Sequence, residues 1–161
     1  MTALIYFGEM LVASLVAVVL LAISPFRVSS NAALFAAGFV AWTLAEYVVH
    51  RFLLHGLVPT QHALHHANPD TAVLNIFWQI WACFALVYLT AGGAFLAGGL
   101  VAYAWYLFVH HCAHHGPDKL PLPLLEHHRS HHQFATRNYG VSTTRGITHS
   151  GRCCANDPRK R

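Results

Sequence analysis

Charge is what this sequence of 161 residues has least of: Asp, Glu, Lys and Arg together make up 10% of it, and six residues are acidic. A soluble domain carries roughly a quarter charged residues, and a disordered chain is charged and poor in apolar ones, so both classes are excluded. Cysteine is scarce and unpatterned. Cys83 falls inside an apolar run, Cys112 lies among histidines, and Cys153 and Cys154 are adjacent. No Cys-x-x-Cys pair exists to build a zinc ribbon, a thioredoxin-like site or a disulfide framework. There is no Gly-x-Gly-x-x-Gly turn and no haem or iron–sulfur cysteine motif, so no electron carrier is encoded in the chain itself. No Lys or Arg precedes Arg27, so the apolar start lacks the basic flank of a cleaved signal peptide and is expected to be a retained helix.

What is present is hydrophobic residue and histidine: 55% of the chain and 14 residues, respectively. Four apolar runs are long enough to be read as membrane helices: Ala3 to Ile23, Ala32 to about His50, Ala72 to about Ala91, and Ala94 to about His115. Pro25, the Asn68-Pro69-Asp70-Thr71 turn, Gly92-Gly93 and Gly116-Pro117 punctuate them, and Ser29, Ser30 and Asn31 offer N-cap chemistry before the second. Two crossings return a chain to its starting side, so the segments after spans two and four share one face. That face carries all the histidines and nine of the ten Lys and Arg residues, only Arg27 lying opposite. The positive-inside rule makes it cytoplasmic, together with both termini. The net charge of +4 is thereby explained as membrane topology, and no nucleic-acid partner is expected.

The expected fold is all-α: an integral membrane, multi-pass four-helix protein with a cytoplasmic histidine-rich metal-binding cap. Residues 1–31 form the first span and loop, 32–144 the histidine-bearing domain with three further spans, and 145–161 an atypical basic tail.

The histidines fall in four clusters: His50-Arg51-Phe52-Leu53-Leu54-His55, His62-Ala63-Leu64-His65-His66, His110-His111-Cys112-Ala113-His114-His115, and His127-His128-Arg129-Ser130-His131-His132. Residues three or four apart share a helix face, so His62, His65 and His66 converge, as do His128, His131 and His132, and His110 with His114. His50 and His55 would stand about 140° apart on an ideal α-helix, so the helix is expected to unwind or end between them. The doublets leave a register open, because His111 and His115 have the same spacing as His110 and His114. About ten imidazoles with few carboxylates exceed one zinc site and suit two metals, and imidazole accepts Fe, Zn, Cu and Ni alike. His149 stands alone and reads as a surface or hydrogen-bonded residue.

In this order and between these spans, the clusters resemble the histidine boxes of the fatty acid hydroxylase and sterol desaturase superfamily of membrane di-iron oxygenases. HRFLLH is close to its first box, and the fourth box followed by Asn138-Tyr139-Gly140-Val141 is close to its last. The likeness covers roughly residues 40 to 144.

The resemblance implies ten metal ligands: His50, His55, His62, His65, His66, His110, His114, His128, His131 and His132. His111, His115, His127, Asn138 and Tyr139 then become neighbours that orient the ligands or line the pocket. It further implies two iron ions, with zinc as a substitute in isolated protein, and dioxygen as co-substrate. A lipid C–H bond is hydroxylated or desaturated, with electrons from a separate ferredoxin or cytochrome and an NAD(P)H reductase. A fatty-acyl, sphingolipid or sterol-like substrate is expected, a carotenoid ring hydroxylase being the alternative. A metal-binding or transport protein is the alternative of another class, although transporters hold ligands near the bilayer midplane.

Intramembrane polar residues extend the candidate site. Glu46, one turn before His50, is placed to accept that imidazole's second N–H, the alternative being an interhelical hydrogen bond. Asn75 and Gln79 are given similar roles, and Glu9 has no evident partner. After Thr144 the likeness stops: family members continue with Trp-Asp and then Phe/Leu-Gly-Thr, whereas this chain reads Arg145-Gly146-Ile147-Thr148. Back-translating from Gly146 with GC-rich codons and reading two bases later gives Asp-His-Ala-Leu-Gly-Thr, so the tail is expected to come from a shifted reading frame. A genuine basic tail on anionic headgroups is the alternative, and an inactive remnant with intact boxes a further one.

Overall fold

A computed structural model describes residues 2–24, 28–71 and 77–144. Asn75 and the segment 145–161, with His149, lie outside the described residues.

Four long helices follow the apolar runs: α1 (Thr2–Ile23), α2 (Val28–Val48), and, after a shorter helix α3 (Pro59–Ala67), α4 (Phe77–Ala91) and α5 (Gly93–His115). A further helix, α6, covers Leu122–Gln133. Among the described residues no strand occurs. Three stretches have the length and hydropathy to cross a bilayer: Leu4–Ile23, Ser29–Leu57 and Gly93–His115. Of the expected third span, Ala72 to about Ala91, the described residues cover Phe77–Ala91. At about 1.5 Å per residue the 15 residues of α4 rise about 22 Å, short of a hydrocarbon core of about 30 Å.

Of the two outcomes expected between His50 and His55, unwinding or ending, the helix takes the first. Val49–Leu57 continues α2 as a π-helix, whose i→i+5 hydrogen bonds stack residues five apart. The two imidazole centroids are 5.1 Å apart as a result.

Helix α5 is the axis of the bundle, with Ala97, Leu100, Tyr103 and Leu107 fully buried. Against it α1 runs antiparallel: Tyr6 meets His110, Glu9 meets Tyr103, and Leu20 and Ser24 lie by Gly93. The buried face of α1 is Tyr6, Ala13, Ala17 and Leu20, at helical spacing, while Leu4, Leu11 and Val18 on the other side are more than half exposed, as a lipid-facing surface requires. Helix α2 crosses α5 at a pair of glycines. A Cβ on Gly38 would lie 1.9 Å from the carbonyl oxygen of Phe95, and one on Gly98 1.9 Å from that of Phe35. Without apolar burial to drive association in lipid, this backbone approach supplies the packing that joins the two helices.

A single residue, Gly92, turns α4 into α5 at φ +85°, donating its N–H to Tyr88 and accepting from Leu96. The π-helix, α3, α6 and the segment after Phe134 close over one end of the bundle, and among the described residues the first three carry the histidines that α5 does not.

Candidate metal centre

The ten imidazoles at box positions come together in two groups. His50, His55, His62, His66 and His131 form one, and His65, His110, His114, His128 and His132 the other; within each, a nitrogen of every ring lies within 4.8 Å of the others. The partition has a simple geometry. Helix α3 gives its i,i+4 pair, His62 and His66, to the first group and the intervening His65 to the second. Helix α6 does the reverse, giving His128 and His132 to the second and His131 to the first. The π-helix supplies the remaining pair of the first group and the end of α5 that of the second, so the two groups are related by a quasi-twofold exchange. Each short helix therefore straddles both groups, and the rings of His66 and His132 stack across the boundary with centroids 4.3 Å apart.

Hydrogen bonds fix which nitrogen of three rings faces inward. His50 Nδ1 donates to the carbonyl of Tyr139 at 2.6 Å, His65 Nδ1 to that of Thr71 at 3.1 Å, and His131 Nδ1 to that of Arg137 at 2.7 Å. A carbonyl only accepts, so each Nδ1 carries the proton and each Nε2 presents a lone pair. These lone pairs converge. His50 Nε2 stands 2.9 Å from His62 Nε2, and His131 Nε2 3.1 Å from His55 Nε2; in the second group His128 Nε2 stands 2.8 Å from His114 Nε2. His65 Nε2 and His132 Nε2 are buried without any hydrogen-bond partner. Burial also keeps the rings neutral: it is the leading cause that lowers His65 to about 4 and His131 and His132 to about 3, and it holds His62 and His128 well below the usual value. Neutral imidazole nitrogens converging in this way are a donor set that fits a transition-metal ion in each group.

The other expected neighbours are distributed differently. Of the doublets, His110 and His114 lie in the second group and His111 and His115 outside both. His111 sits against the rings of Tyr6 and Phe7, and His115 Nδ1 is 3.7 Å from Asp70 Oδ1. His127 hydrogen-bonds the Gly140 backbone, and its own carbonyl accepts from Asn138 Nδ2 at 3.3 Å. Asn138 adopts φ +58°, a conformation an Asn side chain tolerates, and this turn swings Tyr139 onto the first group, its ring 5.3 Å from that of His55.

Glu46 corrects its expected role. Its carboxylate does not reach His50; it accepts the N–H of Val141, the N–H of Ser142 at 3.0 Å and the Ser142 hydroxyl. The tail that follows Tyr139 brings buried N–H groups to that carboxylate, and the Tyr139 carbonyl accepts the His50 Nδ1–H instead. Gln79 is also displaced from its expected role. Its Oε1 is buried in a cavity wall without a hydrogen-bond partner.

That cavity, about 390 Å³, lies between α2, α4 and α5. Trp42, Ala45, Phe84, Val87 and Leu96 make its walls, and His50 and Leu54 close it at the histidine end. Sequence reasoning missed it, and missed the contacts of two α1 residues. Glu9 accepts from Trp81 Nε1 at 3.1 Å and from the Tyr103 hydroxyl at 3.4 Å. The Tyr6 hydroxyl lies 3.1 Å from His110 Nδ1. The only available signal was an acid in an apolar helix with no partner nearby in sequence.

Comparison with known proteins agrees with this geometry. The family model described as fatty acid hydroxylase matches residues 35–146. Fatty acid 2-hydroxylase of Mus musculus is 30% identical over 135 residues, which are 68% of this chain and 36% of that protein. Dihydroceramide fatty acyl 2-hydroxylase of Arabidopsis thaliana is 28% identical, with 66% of this chain and 54% of the relative covered. Ceramide very long chain fatty acid hydroxylase of Schizosaccharomyces pombe is 28% identical over 74% of this chain and 41% of the relative. The matches thus span between about a third and about a half of these relatives. No solved structure matches the chain.

Proposed function

Because this chain belongs to the fatty acid hydroxylase family, we propose that it hydroxylates the acyl chain of a membrane lipid, using two iron ions held by the two histidine groups. One observation carries the reading: the apolar cavity between α2, α4 and α5 ends on His50, a member of the first group. Its walls suit a hydrocarbon chain, and its histidine end brings one carbon of that chain beside His50. Bound iron would supply the activation of dioxygen needed to attack an unactivated C–H bond.

The chain's own residues do the rest. His50, His55, His62, His66 and His131 hold one ion, and His65, His110, His114, His128 and His132 the other. The backbone carbonyls of Tyr139, Thr71 and Arg137 hold the protons of three rings outward, keeping their Nε2 atoms free for metal. Trp42, Phe84 and their apolar neighbours exclude water from the acyl chain. Electrons come from a separate carrier, a ferredoxin or cytochrome served by an NAD(P)H reductase. The histidine end faces the cytoplasm, where such a carrier is found. Two of the relatives are named as 2-hydroxylases, one of fatty acid and one of dihydroceramide fatty acyl, and carbon 2 of the acyl chain is the position proposed here.

Comparative lipid analysis of cells with and without the gene tests the proposal. Hydroxyacyl lipids that depend on the gene, and on the His50 and His110 side chains, are expected. Gene-dependent hydroxycarotenoids in their place would overturn the acyl assignment, and stoichiometric metal with no reductant-dependent oxygen uptake would overturn the catalytic one.

A further inference from the structure

His50, His65 and His131 each have their outer nitrogen fixed by a backbone carbonyl. His110 is held differently. Its Nδ1 meets a side chain, the hydroxyl of Tyr6, at 3.1 Å, from a residue 104 positions earlier in the chain. With Nδ1 engaged there, Nε2 is the nitrogen left for the second group. Both residues are buried, Tyr6 at 4% exposure and His110 at 2%, so no water competes for the contact.

The placement of Tyr6 is determined by its own helix. One turn on, Glu9 accepts from Tyr103 on α5 and Trp81 on α4, two hydrogen bonds in an apolar setting that fix the rotation of α1. Ala13 and Ala17, fully buried, let α1 approach α5 closely along the next turns. Sliding or rotating α1 would break the Glu9 contacts and move Tyr6 off the imidazole together. This helix lies before residue 35, outside the stretch that the family model matches.

We infer that Tyr6 is a positioning residue for the second metal group, its hydroxyl oxygen accepting the Nδ1 proton of His110 and so holding that ring's Nε2 toward the ion. The inference rests on the reading that both histidine groups hold metal. It makes α1 part of the centre rather than a membrane anchor alone, with an influence confined to one of the two ions.

The test uses the full-length protein in detergent, loaded with iron, and follows extraction of metal by a chelator. Tyr6→Phe removes one oxygen and keeps the ring, and loss of a partner of this kind costs about 10- to 100-fold in metal affinity. One of the two ions is expected to leave about 10- to 100-fold faster in Tyr6→Phe while the other keeps the wild-type rate. Leu11→Ala, on the exposed face of the same helix, is expected to match the wild type. Wild-type rates for both ions in Tyr6→Phe, or equal acceleration of both, would overturn the inference. So would metal-free Tyr6→Phe protein melting well below metal-free wild type, which would make Tyr6 a packing residue. Wild-type protein that retains no metal would instead overturn the underlying metal reading, and the role of Tyr6 with it.

Discussion

His131 and His127 lie four residues apart on α6, yet they do opposite things. His131 is fully buried, its Nδ1 tied to the Arg137 carbonyl and its Nε2 turned to the first group, whereas His127 belongs to neither group. On the proposal that each group holds one iron ion, His131→Ala is expected to lower the iron content of the purified protein from two ions per chain toward one, and His127→Ala to leave it at two, as elemental analysis would read. Glu46 acts at the same scale through the backbone. Its carboxylate satisfies the N–H groups of Val141 and Ser142, and the preceding Tyr139 carbonyl holds His50. Glu46→Ala leaves the two buried N–H groups and the Ser142 hydroxyl without their acceptor, which costs about 1–3 kcal/mol for each donor left unpaired. A marked fall in melting temperature, with faster loss of iron, is expected; an unchanged melting curve would mean that water reaches those groups.

Among the elements, the α2–α5 crossing is the least tolerant of change. Neither Gly38 nor Gly98 has room for a methyl group, because what an added Cβ meets is backbone carbonyl rather than a movable side chain. Gly98→Ala forces the helices apart and is expected to destabilise the protein by about 1–3 kcal/mol, the usual cost of overpacking, measurable by thermal unfolding in detergent. Gly8→Ala, with open space at the same atom, serves as the neutral comparison. The cavity is also an element-scale feature. Val87 lines it eight residues along α4 from Gln79, about 12 Å toward the other end of the bundle from the histidines. Val87→Phe shortens the space for a chain without touching the imidazoles, so the products are expected to shift to shorter acyl chains while iron content stays unchanged.

For the molecule as a whole, the histidine cap couples folding to pH. Outside the membrane, burial holds His65 to about 4 and His131 and His132 to about 3 in the folded protein, against roughly 6.5 for an imidazole in the unfolded chain. The folded state then binds fewer protons than the unfolded one at any pH between these values. Stability of the metal-free protein is full above about pH 6.5 and falls steadily as pH drops toward 4. Its melting temperature is expected to be flat between pH 8 and 7 and to fall between pH 6 and 5. Iron loss is expected over the same range, since protons compete for the nitrogens that bind it.

The amino-acid sequence by itself determined whatever depends on neighbours within a turn or two. Apolar runs specified the bundle helices, because membrane residence is a matter of local composition and length. The i,i+3 and i,i+4 spacings specified which histidines of a box share a face, and the count pointed to two metals. His50 and His55 mark the limit of that logic: a spacing of five signalled that the α-helix could not persist, but not that it would unwind into a π-helix rather than end. Only the tertiary structure decided how the boxes divide. His65 leaves its neighbours to join α5, and His131 leaves its own to join the π-helix, because α3 and α6 pack across both groups. The same holds for the partners of Glu46, Glu9 and Tyr6, which lie 72 to 104 positions away in the chain. Such contacts depend on how helices dock, and docking is set by the fit of whole surfaces, which no short stretch of residues encodes.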